Sequence, residues 1–277
     1  MKLRFSKFRL SKKTLTVTVA VLLVVLAIIF AYNKYVSPTR IALVNFQPYM
    51  ATSIQLANTD KFIKYENVPL DKLNKLSSAN FVLAFGMGLK MSAEQRVQLQ
   101  KAIDNGVAVN VVSPTSPDNV ICTLDSIQKV TVTGYMNNGG KKNYRSLARY
   151  IRTEIDKKKL FVTLPDSVVE TPNDVLYHLD EEQAFATVEE YETYLRDQKI
   201  FKPDAPTIAM IGGFNDPFSG NRDNIDSIIV SFERAGFNFY PISSTHKRLD
   251  FLQEINPDAI IYFAHGRLAM GQSDAAV

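Results

Sequence analysis

Tryptophan is absent from the 277 residues, cysteine occurs once (Cys122), and histidine three times (His178, His246 and His265). A single thiol excludes an internal disulfide, a cysteine-built zinc site and an iron–sulfur cluster within the chain. The three imidazoles never take the His-Glu-x-x-His spacing of a zinc protease. Gly86-Met87-Gly88 and Gly212-Gly213 follow expected strands, yet neither completes a dinucleotide fingerprint or a phosphate loop with its lysine. No serine stands in a nucleophile-elbow pattern. The loop Asn215–Asp226 has Gly220 at position six of a calcium loop, but Pro217 stands at position three and Asp226 at twelve, where a bidentate glutamate belongs.

Acidic side chains are missing from the first 59 residues, and Thr14–Asn33 (TLTVTVAVLLVVLAIIFAYN) has no charge of either sign. As a helix this run spans roughly the 30 Å of a bilayer's hydrocarbon core. Lys2, Arg4, Lys7, Arg9, Lys12 and Lys13 precede it, against Lys34 and Arg40 just after. Bases stay on the cytoplasmic side. The expectation is therefore a cytoplasmic basic tail (1–13), a single-pass transmembrane helix (14–33) and extracytoplasmic (periplasmic) main domains. The competing reading is a cleaved secretory signal. It is disfavoured because such a signal has an apolar core of about 7–15 residues and ends at a small-x-small site, where this chain has Phe30-Ala31-Tyr32.

The formal charge of +4 comes from that N-terminus: residues 37–277 hold 25 bases against 28 acids. A mildly acidic main body lacks the electrostatic footprint of a nucleic-acid binder. Lys157-Lys158-Lys159 reads as a solvated helix end.

Short apolar runs alternate with helical stretches along the main body. Arg40–Phe46, Lys61–Val68, Asn80–Phe85 and Gly106–Val112 read as strands, with a helix over Tyr49–Ala57. Ser92 and Gln95 form a capping box opening a helix to Asp104, with Ala93, Val97 and Ile103 expected near one face and Gly106 stopping it. Strands separated by helices imply parallel βαβ units. Residues 38–132 are thus expected to be one doubly wound, parallel-sheet α/β domain of flavodoxin or periplasmic-binding type. Its crevice would lie near Gln47–Tyr49, Gly86–Gly88 and Ser113–Pro117. Residues 133–204 are expected to form a helical connector, with helices over Asn143–Lys159 and Thr187–Gln198. A second α/β domain (205–277) opens with the strand Thr207–Ile211. A helix over Asp223–Ala235, a strand over Phe237–Ile242, a helix near Leu249–Ile255 and a strand over Ala259–Phe263 follow. Its sheet has no closing helix, so the chain is expected to be the N-terminal part of a longer polypeptide.

From about Thr133 onward the order of motifs resembles the large subunit of cobaltochelatase (CobN) and the H subunit of magnesium chelatase. The features are Tyr135, Gly139-Gly140-x-x-Asn143-x-x-x-Leu147-x-x-Tyr150, Tyr177-His178, Phe185-x-x-x-Glu189-Glu190-Tyr191, Pro206–Ile211, Ile225–Tyr240 with Pro241-Ile242, and Asp258–Tyr262. The resemblance implies a chelatase acting on a metallated tetrapyrrole whose metal (haem iron, cobalt or magnesium) is substrate, with no tightly bound cofactor. An extracytoplasmic location separates the chain from cytosolic ATPase partners. It is therefore similar to the membrane-anchored, haem-dechelatase (HmuS-like) branch, with haem- or cobalamin-transport components as partners. A membrane-anchored binding or sensor protein without catalysis is the alternative.

Catalytic residues are expected beyond Val277. Substrate-contact candidates are His265 at a strand end, also the candidate metal ligand, His178, and Gly139, Gly140 and Asn143 at a helix start. There the glycines supply a tight turn, Asn143 caps or steadies the helix, and the helix N-terminus suits a propionate. His246, beside Lys247 and Arg248, reads as solvated.

Overall fold

A computed structural model describes residues 12–179, 183–212, 218, 222–263 and 268. Helix α1 (Lys12–Tyr35) leads the chain, and its segment Thr16–Tyr35 is long and apolar enough to cross a membrane, with none of it buried against the protein. The chain then forms two α/β units.

The first unit contains β1 (Thr39–Val44), α2 (Pro48–Ala57), β2 (Ile63–Asn67), β3 (Phe81–Phe85), α3 (Ala93–Asp104) and β4 (Ala108–Val112), with a 3-10 segment at Leu70–Ser78. Its four strands are all parallel, in the order β2-β1-β3-β4. Successive side chains on a strand face opposite ways, so Ile41, Leu43, Phe81 and Leu83 form one core and Ala42, Val44, Val82 and Ala84 another. Strands buried on both faces explain why RIALVNF and NFVLAF are nearly continuous apolar runs.

Ser92 and Gln95 make the expected capping box at the start of α3, and Gly106 follows that helix at φ +87°. The buried face of α3 differs from the expected one. Leu99 and Ala102 pack inward, whereas Ala93 is exposed and Val97 is 66% exposed. The polar residues around Val97 leave its spacing unable to decide the face.

Helices α4 (Ser126–Asn138) and α5 (Gly140–Tyr150) also belong to this unit. Val132, Tyr135, Tyr144, Leu147 and Ala148 complete the core below Ile41 and Phe81. A boundary after Val132 therefore falls inside α4. The helical run ends in a π turn over Ile151–Ile155 rather than continuing to Lys159. Of the three lysines expected to be solvated there, Lys158 is buried and ion-paired to Asp156 at 3.0 Å.

The stretch expected to be a helical connector is partly sheet. Strands β5 (Val175–Tyr177) and β6 (Ala184–Phe185) join α6 (Val188–Asp197), β7 (Thr207–Ile211), α7 (Asp223–Arg234), β8 (Asn238–Ser243), α8 (Arg248–Ile255) and β9 (Ala259–Tyr262) in the second unit. The sheet order is β6-β5-β8-β7-β9, parallel across β8, β7 and β9 and antiparallel where the β5–β6 hairpin is added. Ala209, Ile211, Tyr240 and Ile242 pack under α6 and α8, and Ile208, Met210 and Phe239 pack under α7.

Candidate functional site

Both sheets reverse their winding between two parallel strands, β1 and β3 in the first unit and β7 and β9 in the second, the usual place for a ligand crevice. In the first unit that place is filled by the protein itself. Asn45, at φ +60°, donates its amide to the carbonyls of Phe85 (2.7 Å) and Met87 (3.3 Å). Gly86 lies so close to Pro114 that a Cβ on it would meet the proline Cα at 2.6 Å. The crevice expected near Gln47–Tyr49, Gly86–Gly88 and Ser113–Pro117 is thus packed shut at Gly86. In the second unit the corresponding strand ends lead to His265, which lies outside the described residues, as does most of the loop after Gly212.

A cavity of about 290 Å³ opens instead at the junction of α4 and α5. Its wall includes Gly139, Gly140, Lys141, Lys142, Asn143, the segment Val169–Pro172, Ala184 and Phe218. Gly139 (φ 60°, ψ −156°) and Gly140 (φ +78°) take backbone conformations that side-chain-bearing residues avoid. A Cβ on Gly140 would stand 2.8 Å from the carbonyl oxygen of Phe218. The double glycine therefore does two jobs: it turns the chain from α4 into α5, and it lets Phe218 approach the backbone.

Asn143 is buried and does not cap α5. Its Nδ2 donates to the carbonyl of Val169 at 2.7 Å, and its Oδ1 accepts from the amide of Val169 at 2.9 Å. Asn138 accepts the amide of Thr171 at 3.1 Å, and the Tyr135 hydroxyl donates to the carbonyl of Asp166. Burial, with Tyr150 and Asp166 nearby, raises the pKa of that phenol. These three side chains strap the extended segment 166–171 across the α4–α5 hairpin, and the strap makes one cavity wall. The first turn of α5 carries Lys141 and Lys142, so helix dipole and ammonium charges both favour an anionic group there.

His178 turns away from this cavity. Tyr177 and His178 are successive residues, so their side chains leave opposite faces. Tyr177 lies edge-on to Phe218 at 6.5 Å between ring centroids. His178 is buried, with Nε2 2.7 Å from Glu233 Oε1 and Nδ1 3.1 Å from the Tyr194 hydroxyl. Its carbonyl accepts the Arg222 guanidinium. Both ring nitrogens are engaged within the core of the second unit. His246 is exposed, 3.6 Å from Asp174. Among the described residues no three His, Cys, Asp or Glu side chains gather as a metal site.

The structure thus brings Gly139, Gly140 and Asn143 to one cavity and leaves His178 out of it. Lys141, Lys142, Thr171 and Phe218 join that cavity without having been expected. The lysines follow directly on the glycine pair, the only sequence signal that points to them.

The model of the CobN/Magnesium Chelatase family matches residues 133–277, just over half of the chain. The chain belongs to this family. The match begins inside α4, where the motif resemblance also starts, and takes in the glycine pair and every residue of the cavity wall. Among solved structures, the catalytic subunit of cobaltochelatase from Mycobacterium tuberculosis is similar with a TM-score of 0.52 at 16% identity, over 82% of this chain and 18% of that one. That likeness establishes a shared fold across both units, with this chain spanning under a fifth of the cobaltochelatase chain. Salmonella D-lactate dehydrogenase (TM-score 0.23, 12% identity, 83% of this chain and 63% of that one) also matches. So does a D-isomer specific 2-hydroxyacid dehydrogenase from Lactobacillus delbrueckii ssp. bulgaricus (0.21, 13%, 82% and 58%). Neither superposes well enough to carry an argument. No curated protein sequence matches the chain.

Proposed function

We propose that this CobN/magnesium chelatase family member is the membrane-proximal part of a protein that acts on a metallated tetrapyrrole, removing iron from haem outside the cytoplasm. The observation that carries the reading is the cavity at Gly139–Asn143, which lies inside the family-matched region and joins a helix N-terminus to Lys141 and Lys142. Helix N-termini and ammonium groups hold carboxylates, and a haem propionate is a carboxylate on a flexible arm. At about 290 Å³ the cavity lies at the small end of ligand sites. It suits one edge of the ring rather than the whole macrocycle.

Metal removal needs two protons for the four pyrrole nitrogens freed, a distorted ring and a ligand for the departing ion. In this reading the described residues grip the substrate's acidic edge, and the groups that exchange protons and metal come from other parts of such a protein. Apolar helix α1 keeps the assembly at the membrane, beside haem- or cobalamin-transport components.

The test is an anaerobic titration of the full-length protein with haem, following the Soret band for binding and porphyrin fluorescence for metal loss. Binding followed by growing fluorescence is expected. Lys141→Glu/Lys142→Glu should weaken binding at least about tenfold, the worth of one charge-assisted hydrogen bond, and should matter little for a porphyrin with esterified propionates. Equal affinity for acid and ester would remove the cavity from the proposal. Stable binding without metal loss would favour a non-catalytic anchored binding protein or sensor.

A further inference from the structure

The chain leaves α1 into a cage of polar contacts. Arg152 is fully buried, and its Nη2 donates at 3.2 Å to the carbonyl of Val36, the residue after α1, and at 3.2 Å to the carbonyl of Leu160. Its Nη1 donates to the carbonyls of Ser37 and Phe62 and to the Thr39 hydroxyl. One guanidinium therefore holds the exit of the apolar helix directly against the segment 157–164.

That segment exposes its apolar side chains: Leu160 49%, Phe161 68% and Leu164 66%. Phe161 stacks on Phe62 at 5.6 Å, with the Lys61 ammonium 5.4 Å from the Phe62 ring centroid. Lys157 and Lys61 are exposed beside them, and Lys159 is exposed with an ion pair to Glu154 at 3.7 Å. The neighbouring Asp156 is occupied by Thr39, Asn80 and Lys158. Exposed leucine and phenylalanine among lysines make a poor water-facing surface but a good match to the headgroup layer, where apolar tips enter the acyl boundary and ammonium groups meet lipid phosphate.

We propose that residues 157–164 form a second membrane contact, in which Leu160, Phe161 and Leu164 dip into the interface of the bilayer that α1 crosses. The proposal rests on reading α1 as a membrane span. The physical warrant is continuity: a loop tied by one side chain to the first residue beyond the span cannot stand far from the membrane surface. Two attachment points instead of one fix which side of the first unit faces lipid.

Residues 1–277 hold no tryptophan, so each reporter placed in them is read as the difference from the parent protein. Full-length Phe161→Trp and, separately, Tyr32→Trp within α1 are reconstituted in vesicles of phosphatidylcholine and phosphatidylglycerol brominated on the acyl chains near the glycerol. Both added tryptophans should emit in the blue and be quenched by the bromolipid, and Leu164→Trp should repeat the Phe161→Trp result should that substitution perturb the loop. Quenching of Tyr32→Trp alone, with Phe161→Trp and Leu164→Trp open to aqueous iodide, would overturn the second contact and leave the span intact. Protection of both loop reporters from iodide and bromolipid alike would also overturn it, assigning the loop to a protein surface. No quenching at any position would remove the span and the contact together.

Discussion

Asp174 receives the hydroxyl of Ser244 at 2.6 Å on the same oxygen that accepts the backbone amides of Thr245 and His246 at 2.9 Å. A side chain standing before β5 thereby organises the turn that leads from β8 into α8. Burial pushes its carboxyl up, but the hydrogen bonds from Ser244 and from the amides of His246, Thr245 and Lys247 outweigh this and bring its pKa down to about 2.

The sign of the resulting pH dependence follows from linkage. The folded value lies below the unfolded one, near 3.9, so the stabilisation is complete above about pH 4 and is lost as pH falls toward 2. It amounts to about 2 kcal/mol. In chemical denaturation between pH 2 and 6, Asp174→Asn should lose most of that stability at the upper end and show a flatter acid limb. A parallel acid limb in mutant and parent would mean that Asp174 does not carry it.

Gly140 and Gly106 separate two costs that a glycine can avoid. Both have positive φ, but only Gly140 faces a backbone oxygen; Gly106 faces open space. Gly106→Ala should cost about 1 kcal/mol, the left-handed penalty alone. Gly140→Ala should cost about 3 kcal/mol, because the carbonyl of Phe218 must also move. Thermal melts of the two variants rank them, and equal losses would show that Phe218 yields freely.

Arg152 makes the sharpest stability prediction. Burial lowers its pKa, while Asp60 and Asp156 act to raise it. Lysine preserves the charge but not the planar fork that reaches the carbonyls of Val36, Ser37, Phe62 and Leu160 together. Arg152→Lys should destabilise by about 2–4 kcal/mol and open the segment 36–39 to protease well below the melting temperature. Unchanged cleavage there would show that Thr39 and Asp156 hold the helix exit without it.

The sequence carried the doubly wound pattern because β1, β3, β4 and β7 are long enough for apolar continuity to stand out, and because Ser92, Gln95 and Gly106 punctuate α3. It hid β5 and β6, which at three and two residues have no period to read. It also hid α4, whose capping box of Asp125 and Gln128 is followed by the β-branched run Val130-Thr131-Val132-Thr133, with Ile127 and Val130 exposed. Gly139-Gly140 could be read as a turn before a helix, but the carbonyl that demands Gly140 belongs to Phe218, from the other unit. Nothing in the local sequence separates Arg152 from any solvated base. Its role comes from three chain segments, at 36–39, 62 and 160, meeting around it, a tertiary fact with no local signature.

The alternation of Tyr177 and His178 makes register a chemical variable. Strand β5 meets β8 through only two residue pairs, Val175 with Ser243 and Leu176 with Ile242, and a one-residue slip would exchange its two faces. The imidazole would then look toward Phe218 and the lysine-lined cavity, and the phenol toward Glu233 and Tyr194. Asp174 clamps one end of the strand to the Ser244 turn, and Arg222 grips the carbonyl of His178 at the other. Those two clamps keep an imidazole out of the cavity. One residue inserted between Asp174 and Tyr177 would be enough to bring it in.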